Sequence, residues 1–302
     1  MQIIFEKGNV IPFEQLPINS IALDGYVQGP QVDPINRKYS FDHHAGCLRL
    51  VTKATCEQVL ESILLGLTTD ENTKIFINDI DGDTALSVWL LLNQDKARDS
   101  DVQFLVRAIG LTDAHGPAFK PHPMHNELTP PPPWIKDSPP QSLGMLEGML
   151  EKLTLWHQGK FNPSPKSEEL SKGWAWSPQK GWFAVEVKGG MEGFYAAGAV
   201  LGFLYQRLPD GTFMYTVAKA SDLVPAKLGP GSQVRPVTDV SQFENTIMGR
   251  LGVVEQLKNP AQSLAHTWGG GTSIGGSPRN ADGSSSMLPP EQVLEIFQQF
   301  QP

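Results

Sequence analysis

Through the first third of the chain, short apolar runs alternate with stretches of helical spacing. Residues 20–25 (SIALDG) and 74–83 (KIFINDIDGD) each read as a buried strand that runs into acidic or glycine residues. Residues 56–67 (CEQVLESILLGL) and 84–93 (TALSVWLLLN) repeat apolar positions at helical spacing, and 102–113 (VQFLVRAIGLTD) fits a further strand or a short helix. This alternation predicts an α/β domain: a mostly parallel sheet flanked by helices. In such sheets ligands sit beyond the carboxyl ends of the strands.

From about Phe119 the pattern changes. Residues 120–140 carry a run of four prolines, Pro130–Pro133, and predict an extended connection. Helical spacing returns over 141–158 (QSLGMLEGMLEKLTLWHQ), which closes a first domain at 1–158, and 159–181 reads as a linker. Trp174, Trp176 and Trp182 fit a local packing cluster better than an aromatic contact surface. Residues 182–302 predict a second, smaller α/β domain, with strands at WFAVEVK and FMYTVAKAS, a buried helix at 194–205 (FYAAGAVLGFLY) and a last helix at PPEQVLEIFQQF.

Composition narrows the function classes. The chain has 302 residues, 40% hydrophobic and 19% charged, with a formal net charge of -8. Gripping long nucleic acid relies on Lys and Arg, so this balance disfavours a long duplex partner and leaves small phosphorylated ligands or nucleic-acid ends open. The two cysteines, Cys47 and Cys56, form no metal-binding pattern, and reduced thiols are the default. The N-terminus lacks the basic start and apolar run of a secretory signal, and 194–205 is too short to cross a bilayer. A cytoplasmic protein with no membrane partner is the expectation, with a homodimer left open.

The candidate chemistry is acidic and imidazole-bearing. Asp24 ends one strand-like run, Asp79-Ile80-Asp81-Gly82-Asp83 follows another, and Asp113 is read as ending a third; Asp42, His43 and His44 stand consecutively in SFDHHAG. Each element has a plain structural explanation. An Asp-x-Asp pair before a helix often serves as an N-cap, and paired histidines are often only hydrogen-bonded. Together, at one edge of one sheet, they form an oxygen-and-imidazole ligand set suited to Mn, Mg, Fe or Zn.

These motifs resemble the DHH phosphoesterase family. FDHHAG is similar to the motif that names it, and NDIDGDTALSVWLL to its first motif, His-x-Asn-Pro-Asp-x-Asp-Ala before a helix. IALDG resembles its second motif and IGLTDAHGPAF its fourth, so that the Asp-x-Asp motif, usually first, here follows the DHH. The resemblance covers residues 18–120 well and 182–290 loosely. It implies two divalent metal ions, Mn foremost. Asp24 would bridge them, Asp81 would bind the first, and His43, Asp83 and Asp113 the second. Asp42 would orient the pair and His44 would face the substrate phosphate. The family's motif histidine falls at Ile77, so Asn78 or Asp79 would have to compensate; His115 is a further candidate.

Residues 266–287 (HTWGGGTSIGGSPRNADGSSSM) are a flexible linker on the plainest view. They lack the lysine of a Walker A loop, which would fall at Gly276. Glycines let backbone amides approach an anion, and Ser273, Ser277 and Arg279 add donors. The stretch resembles the Gly-Gly-Gly-His motif of the DHHA1 domain, with Thr272 in place of the histidine. It implies a substrate clamp of Gly269, Gly270, Gly271, Thr272, Ser273, Gly275, Gly276, Ser277 and Arg279. The expected activity is metal-dependent hydrolysis of a small or end-bound phosphoester: a short oligonucleotide, cyclic dinucleotide or nucleoside bisphosphate. The alternative is a non-catalytic nucleotide- or phosphate-binding protein on the same scaffold.

Overall fold

A computed structural model describes residues 1–48, 50–116, 119, 121–131, 138–163, 200–221, 223–224, 226–229, 245–260, 268–270, 273–280 and 282–300, and the backbone of 182–186. The chain divides into two compact units, Met1–Lys166 and Ser167–Pro302. The division falls inside the stretch 159–181.

In the first unit, β1 (Gln2–Phe5), β2 (Ser20–Leu23), β3 (Gln31–Asp33), β4 (Lys38–Phe41) and β5 (Lys74–Ile77) form one sheet in the order β1-β5-β2-β4-β3. Every neighbouring pair is parallel except β3 with β4. β5, late in sequence, therefore lies between β1 and β2. The carboxyl ends of β2, β4 and β5 share one edge of the sheet.

Alternation along each strand decides which face meets what, because successive side chains point to opposite sides. Ile21, Leu23, Ile75 and Ile77 point into the main core, while Ala22 and Phe76 point the other way. The main core is completed by α1 (Thr55–Leu64), α2 (Gly82–Leu92), α3 (Ser100–His115), α4 (Met124–Leu128) and α5 (Leu143–His157). The opposite face is covered by Leu16, Tyr26 and Val27 with Ile11 and Phe13, from the connections on either side of β2.

The second unit holds a sheet in the order β6-β7-β8-β10-β9, made of β6 (Trp182–Glu186), β7 (Leu201–Arg207), β8 (Phe213–Lys219), β9 (Gly269–Gly270) and β10 (Ile274–Gly276). Only β6 and β7 pair in parallel. Phe203, Tyr215 and Val217 pack with residues of α6 (Ile247–Lys258) and α7 (Pro290–Gln299). Buried Glu255 of α6 accepts from Trp268 Nε1 at 3.2 Å, from Met287 N at 2.7 Å and from Ser286 Oγ, tying the two ends of the glycine-rich stretch to one helix.

Two sequence expectations are corrected. Residues 201–205, expected within a helix, lie in β7; 194–199 and Trp174 and Trp176 lie outside the described residues. An apolar run buried all round has no polar face to reveal its period, and pairing along the whole length of β8 decides in favour of strand. Asp113, expected at a strand end, stands in the last turn of α3. Val102, Leu105, Val106 and Ile109 are buried at 3.6-residue spacing, and Asp99 caps the helix by accepting from Asp101 N at 2.9 Å.

Candidate metal centre

Asp24 follows β2 directly in a left-handed conformation, φ 52°, which aspartate tolerates better than most residues. Its amide still donates to Phe41 O at 2.9 Å, so the ladder with β4 continues through the turn. Thr55 Oγ1 donates to Asp24 Oδ1 at 3.1 Å and Thr84 Oγ1 to Oδ2 at 3.0 Å. The threonines come from the first turns of α1 and α2, so two helix starts orient one buried carboxylate. Neither was singled out from sequence; Thr84 sits inside the Asp-x-Asp motif, whereas Thr55 carries no local signal.

Asp42 follows β4 and is buried. Its Oδ2 accepts from Gly29 N at 2.7 Å, and its Oδ1 from His44 N at 2.9 Å. The His44 Nδ1 lies 3.0 Å from the same Oδ1. Burial works to raise the Asp42 carboxyl, but the His44 ring and the two amides outweigh it and hold the group down to about 2. An ionised carboxylate only accepts, so His44 carries its proton on Nδ1, and Nε2 is the basic nitrogen of a ring that is 43% exposed. Gln58, which donates to Asp42 O at 3.0 Å, further secures the segment.

Asp81 and Asp83 open α2. Asp81 Oδ1 accepts from Thr84 N at 2.8 Å as the N-cap. Asp83 reaches across to α1: Oδ2 accepts from Thr55 N and Oδ1 from Cys56 N, both at 2.8 Å. Ala54, at the cap position of α1, has no side-chain acceptor, so Asp83 supplies the missing cap from a neighbouring helix. Gln141 Nε2 donates to Ile80 O at 2.9 Å, and the Leu128 side chain lies where a Cβ on Gly82 would meet it at 3.3 Å. The segments around the proline-rich stretch thereby brace the acidic loop.

His43 is the meeting point. It is fully buried, and neither ring nitrogen has a hydrogen-bond partner. Its Nε2 lies 2.7 Å from Asp113 Oδ2, 3.7 Å from Asp24 Oδ1 and 3.9 Å from Asp83 Oδ2. A divalent ion about 2.1 Å from each donor would set neighbouring donors about 3.0 Å apart in an octahedron and about 3.4 Å in a tetrahedron. The observed spacings bracket those values. Two triads lie within 4.8 Å, Asp24–His43–His44 and His43–Asp83–Asp113. Among the described residues, the carboxylates of Asp24, Asp42 and Asp83 come within 3.9 Å of histidine nitrogens and make no ion pair with a lysine or arginine. Burial raises the carboxyls of Asp24, Asp81 and Asp83; Asp24 and Asp113 push Asp81 further up, while His44 works against the rise at Asp24. Such a cluster favours either protons or a cation.

Other expected residues lie elsewhere. Ile77 is buried in the main core; Asn78 donates to Asn9 O at 3.0 Å, and exposed Asp79 accepts from Ile80 N. His115 packs near Phe119, with ring centroids 5.6 Å apart, and belongs to neither triad. In the second unit Gly269 and Gly270 form β9, paired through Gly276 and Gly275 with β10. Ser273 O accepts from Lys219 N at 2.8 Å, and Arg279 is exposed. The buried Ser277 hydroxyl accepts from Tyr215 N at 2.8 Å and pairs with Ser285 Oγ at 2.8 Å. Gly271 and Thr272 lie outside the described residues.

Among the described residues no helix is long and apolar enough to cross a membrane. Compared with protein-family models, with curated proteins and with solved structures, the chain matches none.

Proposed function

We propose that the chain is a metal-dependent phosphoesterase acting on small or end-bound phosphorylated substrates. The carrying observation is His43: a fully buried imidazole, unpartnered at both nitrogens, facing three carboxylates drawn from β2, α2 and α3. Burying such a group without a partner costs about 1–3 kcal/mol, and a cation removes that cost while neutralising the carboxylates. His43, Asp83 and Asp113, with Asp24 beside them, fit a hard or borderline divalent ion, with manganese, magnesium, iron and zinc as candidates. A divalent ion held there supplies a water of lowered pKa and positive charge against the phosphoryl oxygens.

The chain's own residues do the rest. Thr55 and Thr84 hold Asp24 in place, and the α1 amides hold Asp83. Asp42 fixes His44 with its proton on Nδ1, so Nε2 is presented from the half-exposed ring to accept or return a proton at a phosphoryl or leaving oxygen. In the second unit, exposed Arg279 carries a guanidinium, a group of the kind that holds a phosphate.

The test is hydrolysis of bis(p-nitrophenyl) phosphate, then of short oligonucleotides, cyclic dinucleotides and nucleoside bisphosphates, in Mn²⁺. Turnover that His44→Ala abolishes while bound manganese is retained supports the proposal. Full manganese loading with no turnover on any phosphoester overturns it in favour of a phosphate-binding protein.

A further inference from the structure

We infer that Asn78 is a substrate-binding residue: its carboxamide, across the bare backbone of Gly25 from the His44 ring, donates to an oxygen of the substrate phosphate. The inference rests on the proposed phosphoesterase and adds a residue to its substrate site. The motifs left Asn78 only as a stand-in for a missing metal-binding histidine.

Strand order brings the residue there. β5 lies between β1 and β2, so Asn78 emerges beside the turn that follows β2, at the edge that bears the acidic centre. Gly25 in that turn has φ 89°, a conformation glycine adopts readily. A Cβ built on it would lie 3.8 Å from both Asn78 Nδ2 and His44 Nδ1, and 3.9 Å from Asp42 Oδ1. The two nitrogens are therefore no more than twice 3.8 Å apart, across a spot where Gly25 presents no side chain. Asn78, Gly25 and His44 are all partly exposed, whereas Asp24, Asp42, His43 and Asp83 are buried. An incoming substrate meets the first three.

A phosphate fits that span. Donors hold oxygens at about 2.8 Å and the oxygens of one phosphate are about 2.5 Å apart, so groups about 8 Å apart can share one phosphate. A carboxamide has two N–H groups and an acceptor oxygen. Among the described residues that of Asn78 makes one hydrogen bond, from Nδ2 to Asn9 O at 3.0 Å, which orients the group and leaves its second N–H for a ligand. Being uncharged, it donates to a phosphoryl oxygen without being drawn onto the neighbouring carboxylates, as a lysine there would be. Anchoring the loop 6–10 does not require this side chain. Backbone bonds already hold that loop, from Glu6 N to Ile77 O at 3.0 Å and from Gly8 N to Asn78 O at 2.8 Å.

The experiment titrates inorganic phosphate into the manganese-loaded full chain by calorimetry, beside the bis(p-nitrophenyl) phosphate assay. Asn78→Ala should raise the phosphate dissociation constant and KM by about fivefold or more, with kcat within about threefold and bound manganese unchanged. In case that variant misfolds, Asn78→Asp keeps the size and sets a like charge against the phosphate, and should weaken both further. The control is Asn9→Ala, which removes the bonds from Asn9 Nδ2 to Glu6 at 2.7 Å and to Tyr26 Oη at 3.3 Å but keeps Asn78. It loosens the same loop and should leave phosphate affinity within about twofold. Turnover with KM and phosphate affinity unmoved by Asn78→Ala, or moved as much by Asn9→Ala, would overturn the inference and leave the phosphoesterase proposal standing. So would loss of manganese from Asn78→Ala. Phosphate binding that depends on Asn78, with no turnover on any phosphoester, would uphold the inference and sink the proposal. Neither binding nor turnover would remove both.

Discussion

Replacing His43 with leucine should separate stability from metal binding in opposite directions. The side chain is fully buried with two ring nitrogens lacking hydrogen-bond partners, and its closest contact, Asp113 Oδ2 at 2.7 Å, is without hydrogen-bond geometry. A buried unsatisfied polar atom costs about 1–3 kcal/mol. Leucine has similar volume and no polar atoms, so in chelator His43→Leu should be more stable than wild type by about 1–3 kcal/mol. For a unit of this size each kcal/mol moves Tm by about 2–4 °C. Manganese at one hundred times its dissociation constant adds about 2.7 kcal/mol to wild type and should add about 1.4 kcal/mol or less to the variant, whose site is at least about tenfold weaker without the imidazole. The two proteins therefore draw together or exchange rank: the variant melts higher in chelator, and wild type gains more in manganese. Differential scanning calorimetry at about pH 8, with and without the ion, reads both arms. A variant that melts lower in chelator and gains from manganese as much as wild type would refute the idea that His43 is an orphan awaiting a cation.

Three further outcomes follow from the same geometry. Thr84→Val removes the hydroxyl bonded to Asp24 Oδ2 and should cost about 1–2 kcal/mol and weaken manganese binding, with Thr84→Ser restoring both; chemical denaturation and calorimetric titration check it. The Asp42 carboxyl is held to about 2 against an ordinary 3.8, burial being outweighed by bonds from His44 and Gly29. A depressed acid stabilises the fold above its unfolded value and loses that contribution as pH falls through its folded value. The stability difference between wild type and Asp42→Asn should therefore shrink as pH falls from about 4 to about 2, and a flat difference in urea midpoints would contradict this. Gly275→Ala would set a Cβ 2.8 Å from Gly269 O and against the Met248 sulfur. It should destabilise the second unit by about 1–3 kcal/mol, and adding Met248→Ala should recover only part, because the backbone clash remains.

Local pattern alone determined a good deal here. The strands at 20–23 and 74–77, the helices at 55–64, 82–92 and 143–157, and the α/β class follow from apolar spacing and caps read over a few turns of chain. So does the clustering of acids, because residues that follow neighbouring parallel strands share an edge whatever order the strands take in sequence. The helix bearing Asp113 was legible in the spacing of Val102, Leu105, Val106 and Ile109, and only its reading as a strand end was at fault. β7 was not legible, since a segment buried on every side shows no period. What each acid does was decided by the tertiary structure. Asp81 caps its own helix, Asp83 caps another, and Asp42 holds His44. Asp24 leans on two threonines from separate helices, and His43 is left facing three carboxylates without a hydrogen bond. A sequence specifies which donors and acceptors exist, but a lone pair is spent or spared by whichever partner the fold brings within about 3 Å, and those partners here come from as far as 60 residues along the chain.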